Sequence, residues 1–402
     1  MEVAIIGGGA AGFFAALSVK EHYPHANLTL FEKSSKLLAK VKVSGGGRCN
    51  VTHDCRHANQ LAKNYPRGEK FLKKAFSQFD VNDTISWFES RGVKLKTESD
   101  GRMFPITDDS QTIIDCLLNE TRRLGVAIVK NKTILKLSPS ETGIELSFDE
   151  NQTRFDKAII CSGGSPKLSG FEWLTELGIH IEPPVPSLFT FNMPNEPIKS
   201  LMGLAVPNVS VNVQGTKLKQ EGPLLITHWG MSGPAILKTS AWGARVLADF
   251  NYDFKIQVNW LNENSESELR AQVEVIKKDF PKRKMLNRAI AGIPSRLWDF
   301  LLTRVALRSD ITWGELGSKG INKLVNVLLN DVYEVKGKTT FKEEFVTCGG
   351  VSLSHIDVKT MQSRVVPNLY YAGEVMDIDG VTGGFNFQAA WTTGFIAGKL
   401  LS

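Results

Sequence analysis

Apolar positions in this chain follow two rhythms: short unbroken runs, and longer stretches in which they recur every third or fourth residue. Val3 to Ile6 is a run of the first kind, and its length and residue types predict a strand buried on both faces. Asn27–Phe31, Val126–Val129 and Lys157–Cys161 predict further strands, and Phe13 onward is helix-forming until Tyr23-Pro24. Lys70–Phe79 and Val81–Arg91 are amphipathic at helical spacing, and Ser110 is placed to cap a helix running to about Leu124. Thr133–Leu137, Gly143–Phe148 and Thr153–Phe155 predict three short strands, a β-meander. Pro183, Pro184, Pro186, Pro194 and Pro197 then mark a domain crossing. Beyond it, Leu188–Phe191, Val206–Val213 and Phe254–Trp260 read as strands. Ser265 to about Leu329 reads as helices broken at Pro281, Pro294 and Gly317. Phe341–Val346 returns to the strand layer, Asn368–Glu374 predicts a last strand, and a helix runs from about Phe387 to Leu401.

The glycines give this pattern a chemistry. Val3–Ile6 leads into Gly7-Gly8-Gly9-Ala10-Ala11-Gly12, which fits G-x-G-x-x-G with Gly7, Gly9 and Gly12 in the motif positions. Gly7 allows the tight turn, Gly9 lets the backbone approach a pyrophosphate, and Gly12 lets helix and strand pack closely. A phosphate at the helix start meets unpaired N–H groups and the positive end of the dipole. Glu32 ends the next strand, twenty positions after Gly12, where a carboxylate takes the ribose hydroxyls of an adenosine and repels a 2′-phosphate.

Two more glycine clusters extend the site. Ser44-Gly45-Gly46-Gly47-Arg48-Cys49-Asn50 combines backbone that can lie flat against a ligand with three hydrogen-bonding side chains. Near the end, Ala372-Gly373-Glu374 closes a strand, and Gly380 to Asn386 is a glycine-rich turn before the last helix. An acid after a terminal strand suits a ribityl hydroxyl or the pyrophosphate region. A helix start just beyond it places its dipole where a reduced flavin carries negative charge. This second signature separates FAD from NAD.

Composition narrows the class. The 402 residues, 42% hydrophobic and 22% charged, bury a large core and predict more than one domain. No apolar run reaches the ~18 residues needed to span a bilayer. The first strand begins at residue 2 or 3, leaving no room for a signal peptide. Cys49, Cys55, Cys116, Cys161 and Cys348 are odd in number and lack C-x-x-C, which argues against a disulfide framework or zinc site and for a reducing, cytoplasmic setting. Between Lys277 and Arg308, nine basic residues face only Asp279 and Asp299. That excess suits RNA phosphates, or else solvated helix faces.

At these residues the chain resembles the BaiN/RdsA-like NAD(P)/FAD-dependent oxidoreductases, the family that includes aminoacetone oxidase. The carriers are Ser44–Asn50, Gly101–Pro105 (G-R-M-F-P), Thr227–Ala235 (T-H-W-G-M-S-G-P-A), Thr347–Val351 (T-C-G-G-V) and Ala372–Gln388. The resemblance implies an α/β fold: a Rossmann-like FAD-binding domain of glutathione-reductase type with a β-meander, an inserted β-barrel-like domain and a small helical domain. The corresponding spans are 1–187 with 346–402, 188–262 with 333–345, and 263–332. It implies FAD contacts at Gly7, Gly9, Ala11, Glu32, Lys40, Ser44, Glu374, Gly384 and Asn386, with the Ile134 backbone on the adenine. The same segments bring in Ala10, Gly12, Lys33, Gly46, Arg48, Asn50, Ser162, Gly163, Gly373, Gly383 and Phe385. Two positions depart from the family pattern: Ser162–Gly170 is a shortened loop, and Leu38 stands where glycine is usual.

No second complete G-x-G-x-x-G is visible, so NAD(P)H would be a transient visitor. The resemblance implies reduction of a carbon–carbon double bond, such as uridine to dihydrouridine in ribosomal RNA or a steroid-type enone. Uracil reduction needs a hydride on one carbon and a proton on its neighbour. Cys49, His228 and Arg102 are candidates for that pocket, each with a plain structural alternative: packing for Cys49, a satisfied histidine beside Trp229, an ion-paired Arg102. An oxidase of a small amine and a non-enzymatic FAD-containing RNA-binding factor are the competing readings.

Overall fold

Strand β1 (Glu2–Ile6) lies at the centre of a parallel sheet, and Val3, Ala4 and Ile5 are fully buried there. The computed structural model describes residues 1–140, 142–148, 151–262, 265–308, 310–339 and 346–401. The chain divides into two units, Met1–Ser187 with Phe341–Ser402, and Leu188–Thr340.

In the first unit β1 is followed by α1 (Ala10–His22), β2 (Asn27–Phe31), α2 (Ala39–Gly47), β3 (Ala127–Val129), β4 (Lys157–Ile160), β5 (Leu369–Tyr371) and α3 (Phe385–Gly398). The five strands pair in parallel in the order β5–β4–β1–β2–β3. Helix α1 is apolar on every side because it is buried on every side. It packs against α3 through small residues. A Cβ on Gly394 would fall 2.7 Å from the Ala11 carbonyl, and one on Gly398 2.7 Å from that of Ala15. Ser18 Oγ donates to the Phe395 carbonyl at 2.7 Å. The two ends of the chain therefore form one helix pair beside the sheet.

A buried polar node secures the segment after α2. Gln388 Oε1 accepts from Thr52 Oγ (2.6 Å) and from Thr84 Oγ (3.0 Å), so one amide of α3 holds a short strand and the helix Val81–Glu89. Buried amides of this kind cost stability unless bonded, and here they are bonded.

Several boundaries differ from expectation. Asp109, not Ser110, caps the helix Ser110–Arg123, its carboxylate accepting from Gln111 N at 2.8 Å. Lys136–Ser140 is the first meander strand, so Ile134 lies in the loop before it. Part of the proline cluster at the crossing is itself a strand. Ile181–Ser187 is a strand antiparallel to Val346–Val351, and its register shifts between Glu182 and Val185, where Pro183 and Pro184 sit. A bulge is where proline, lacking an N–H, fits a sheet. The strand expected over Phe341–Val346 falls mostly outside the described residues.

The second unit holds a seven-stranded sheet including Ala205–Val213, Lys219–Ile226, Gly230–Ser232 and Asp253–Asn259. Helices Glu266–Asp279, Ser295–Arg304 and Ser318–Leu329 share its core: Val211, Ile256 and Trp260 cluster with Trp298, Trp313 and Leu324. Among the described residues no helix is long and apolar enough to cross a membrane.

Candidate cofactor and active site

Every glycine segment singled out in the sequence lies in the first unit, at the carboxyl ends of β1, β4 and β5 or against the helices that follow. Gly7 takes φ +119°, and a Cβ there would sit 2.2 Å from the Cys161 carbonyl; one on Gly12 would sit 1.9 Å from the Gly7 carbonyl. These two positions are fixed by packing. Gly9 differs: a Cβ there meets nothing within 4 Å. It flanks α1, whose start has no side-chain cap and no acidic residue in its first turn. Open space, a bare helix start and a backbone free of Cβ together form a cradle for a phosphate group.

Glu32 organises this loop. Its Oε2 accepts the Gly8 N–H at 2.8 Å and its Oε1 accepts that of Ser34 at 2.8 Å. A carboxylate has about four lone-pair positions, so acceptor capacity remains for hydroxyls. Lys33, next to it, is exposed.

The last strand brings its acid to the same place. A Cβ on Gly373, at φ +77°, would come 2.7 Å from the Ala11 Cβ, so this turn lies directly on the start of α1, one residue after Ala10. Glu374 Oε2 pairs with Lys40 Nζ at 2.5 Å, and Oε1 accepts the Thr347 N–H at 2.9 Å. Lys40 belongs to α2, which starts after Leu38 at φ +54°. The residue in the usual glycine place thus keeps the left-handed conformation that glycine adopts without strain.

The other two clusters meet each other. Helical geometry in α2 breaks at Ser44, Gly45 and Gly46, and Ser44 Oγ donates to the Val41 carbonyl at 3.0 Å. Asn50, oriented as its neighbours demand, donates to the Thr52 carbonyl and accepts the Gly384 N–H, both at 3.0 Å. His53 Nδ1 lies 3.1 Å from the Gly383 carbonyl, and its ring stacks on Phe385 at 4.7 Å. Asn386 grips the turn from within, accepting from Gly380 N (2.8 Å) and donating to Gly380 O (3.0 Å). Arg48 donates to Glu98 at 2.6 Å and lies over the Phe104 ring, 4.0 Å from its centroid.

After β4, Ser162-Gly163-Gly164 turns back toward this region. Gly163 is at φ +75° with open space around it, while a Cβ on Gly164 would fall 2.3 Å from Thr347 Oγ and 2.9 Å from Glu374 Oε1. Thr347 is fully buried, and its hydroxyl has no hydrogen-bond partner among the described residues. A buried orphan hydroxyl beside an acid at the carboxyl edge of a parallel sheet fits a polar ligand that completes it. The residues present thus fit a flavin dinucleotide.

The catalytic candidates separate. Cys49 is wholly buried, and burial pushes its thiol up to about 12, so it stays protonated and is no thiolate nucleophile. Arg102 is tied to Asp100 (2.7 Å) and Glu98 (2.9 Å), and a guanidinium orients charge but gives up no proton. His228 belongs to the second unit, exposed on a turn with its ring 4.6 Å from that of Trp229.

Three groups escaped the sequence reading. His53 is one; burial lowers its imidazole below the usual value. Thr347 is another, although it heads the T-C-G-G-V motif. The third is Asp379, fully buried, whose carboxylate forms a two-point ion pair with Arg67 and accepts from Ser187 Oγ at 2.6 Å. Burial raises this carboxyl to about 6 although Arg67 and Ser187 pull it down.

The basic segment also sorts itself. Arg304 is engaged with Asp331 (2.8 Å) and Glu196 (3.6 Å), and Arg288 stacks on Phe280 (3.7 Å), so these two are structural and not free phosphate ligands. Lys278, Lys282, Arg283 and Lys284 are exposed.

A family model, the HI0933-like protein Rossmann domain, matches residues 1–400. This chain belongs to that family. It is the BaiN/RdsA-like group to which the motifs pointed. A ribosomal RNA dihydrouridine synthase of Escherichia coli is 29% identical over 401 residues, 97% of this chain and 95% of the relative. A 3-dehydro-bile acid delta(4,6)-reductase of Clostridium scindens is 26% identical over 405 residues, 99% and 98% of the two chains. Among solved structures, 3-ketosteroid delta1-dehydrogenase from Sterolibacterium denitrificans superposes with a TM-score of 0.51 at 12% identity, covering 98% of each chain. The FrdA subunit of the E. coli quinol fumarate reductase gives 0.51 at 13%, covering 99% of this chain and 69% of that one. At such identities these two share the fold.

Proposed function

We propose that this HI0933-like protein is an FAD-dependent oxidoreductase that reduces a carbon–carbon double bond, with uridine in ribosomal RNA as its substrate and NAD(P)H as its transient electron donor. The observation that carries the reading is the convergence of Gly7–Ala11, Ser162–Gly164, Thr347 and Gly373–Glu374 on the start of α1. Bound FAD supplies the hydride. Gly9 and the first turn of α1 hold the pyrophosphate, Glu32 the adenosine ribose, and the Ile134 backbone the adenine. Lys40, Glu374 and the Thr347 hydroxyl orient the ribityl and pyrophosphate region, while Asn50, Gly384 and Asn386 set the turn at the flavin end.

The proton comes from the chain. Among the three candidates we assign the donor role to His228, charge to Arg102 and packing to Cys49. We read the second unit as a β-barrel-like insertion carrying a helical subdomain over 263–332, and the cytoplasm as the protein's place. The related reductase and synthase names support double-bond reduction over amine oxidation.

The test has two parts. Purified protein should show visible flavin absorbance and, after anaerobic photoreduction, reoxidise sluggishly in air. Ribosomal RNA nucleosides from cells lacking the gene should lose a dihydrouridine by mass spectrometry. Colourless protein that takes up no FAD would end the proposal, and rapid reoxidation with peroxide would favour the oxidase. Unchanged nucleosides would remove RNA as substrate.

A further inference from the structure

The turn between the strands Lys219–Ile226 and Gly230–Ser232 spends its backbone on itself. Thr227 N donates to the Gly230 carbonyl at 2.8 Å, and Thr227 Oγ accepts from Trp229 N (3.3 Å) and Gly230 N (3.2 Å). The Trp229 carbonyl accepts from Met193 N at 2.8 Å. Gly230 is pressed against the Phe191 carbonyl, 2.3 Å from where a Cβ would lie. A pinned backbone thus presents two side chains outward. His228 is exposed, Trp229 is 45% exposed, and their rings touch. Neither ring has a hydrogen-bond partner among the described residues. Leaving an indole in water forgoes the burial this unit gives Trp260, Trp298 and Trp313.

A chain of backbone contacts leads from this turn to positive charge. At the base of the turn the Ile226 carbonyl accepts from Gly203 N at 2.9 Å, which sets exposed Met202 next to it. Two residues before Met202, the Ser200 carbonyl accepts from Arg296 at 3.4 Å. Arg296 is exposed near the start of its helix, with Asp299 the acid one turn along. That helix also binds the basic turn, Trp298 Nε1 donating to the Met285 carbonyl at 2.7 Å, directly after exposed Lys282, Arg283 and Lys284.

We propose that the His228–Trp229 turn is a stacking platform for an unpaired base of single-stranded RNA, with a flanking phosphate on Arg296 and the strand continuing toward Lys282–Lys284. Exposed aromatic rings joined to a cationic track recognise single strands in this way, since every base offers a π-face and every phosphate a charge. The inference rests on the RNA reading of the site but is separable from it.

The test uses the FAD-loaded full chain and a labelled short oligouridylate, with anisotropy read at several salt concentrations. Trp229→Ala should weaken binding roughly tenfold with the salt slope unchanged, and Trp229→Phe should restore most of it. Arg296→Ala should reduce the slope by about one. Trp242→Ala, at another exposed tryptophan on the same unit, should change neither. Oligonucleotide that fails to bind, or that binds Trp229→Ala as tightly as the parent, overturns the platform. So does a soluble steroid-type enone that replaces the oligonucleotide as the Trp229-dependent ligand. Flavin content and reducibility, read on the same samples, judge the oxidoreductase proposal independently. A yellow, reducible protein with a failed platform leaves that proposal standing.

Discussion

Glu32 grips the Gly8 N–H at 2.8 Å, so the acid expected to meet a ribose also sets the glycine loop proposed to cradle the pyrophosphate. That bond holds the loop from within the protein, which leaves less ordering to a binding step.

Thr347→Val separates ligand binding from folding. The hydroxyl is buried without a hydrogen-bond partner among the described residues, so its removal should leave apoprotein melting unchanged or slightly higher. FAD affinity should fall by roughly three- to tenfold, the loss of a hydrogen bond worth about 1 kcal/mol. Titration of apoprotein with FAD, paired with thermal melts, checks both halves. Equal affinity in the two proteins would remove Thr347 from the site.

Gly9→Ala and Gly12→Ala should fail for different reasons. Gly9 has room for a methyl group, so its variant should fold normally yet lose FAD. A Cβ on Gly12 would fall 1.9 Å from the Gly7 carbonyl, so its variant should lose several kcal/mol of stability and little soluble protein should form. Circular dichroism and flavin content distinguish the two. A yellow Gly9→Ala protein of parental affinity would contradict the phosphate cradle.

Asp379→Ala removes a buried carboxylate from the Arg67 guanidinium, which is only 13% exposed. Removing one member of such a pair costs about 3–5 kcal/mol. Because Asp379 precedes Gly380, the turn gripped by Asn386 should loosen, and FAD should dissociate faster than from the parent. Denaturant melts and flavin release rates measure this. A variant as stable as the parent would show that Ser187 and the backbone suffice.

His53 gives a pH dependence of known sign. Its imidazole is depressed by burial, so below about 6.5 the unfolded chain binds a proton that the folded chain resists. Stability should therefore be complete above that pH and decline as the solution is acidified toward the folded value. His53→Gln should flatten the fall in melting temperature between about pH 7 and 5.5. Parallel slopes for parent and variant would assign the acid sensitivity elsewhere.

The parallel sheet was legible because its strands are short, mostly apolar runs, several of them bounded by glycine or an acid. Val3–Ile6, Glu32 and Ala372–Glu374 needed only local pattern. Ile181–Ser187 was not legible as a strand: its three prolines read only as a domain crossing, and the partner strand Val346–Val351 and a bulge make it a strand. Asn50 on Gly384 and His53 on Gly383 could not be foreseen either, since over three hundred positions separate them in sequence. Thr347 had no local signal because an orphan hydroxyl is a property of burial. The basic segment misled in part: Arg304 reads as free charge in sequence but is spent on Asp331 and Glu196.

The pairing of α1 with α3 sets an order of assembly during synthesis. Residues 188 to 340 are contiguous, so the second unit has all its strands once that stretch has been made. The first unit must wait for β5 to reach the sheet edge and for Gly394 and Gly398 to seat against Ala11 and Ala15. Its nascent form exposes the apolar flank of α1 for most of translation, so the earlier-made half is the later one to close.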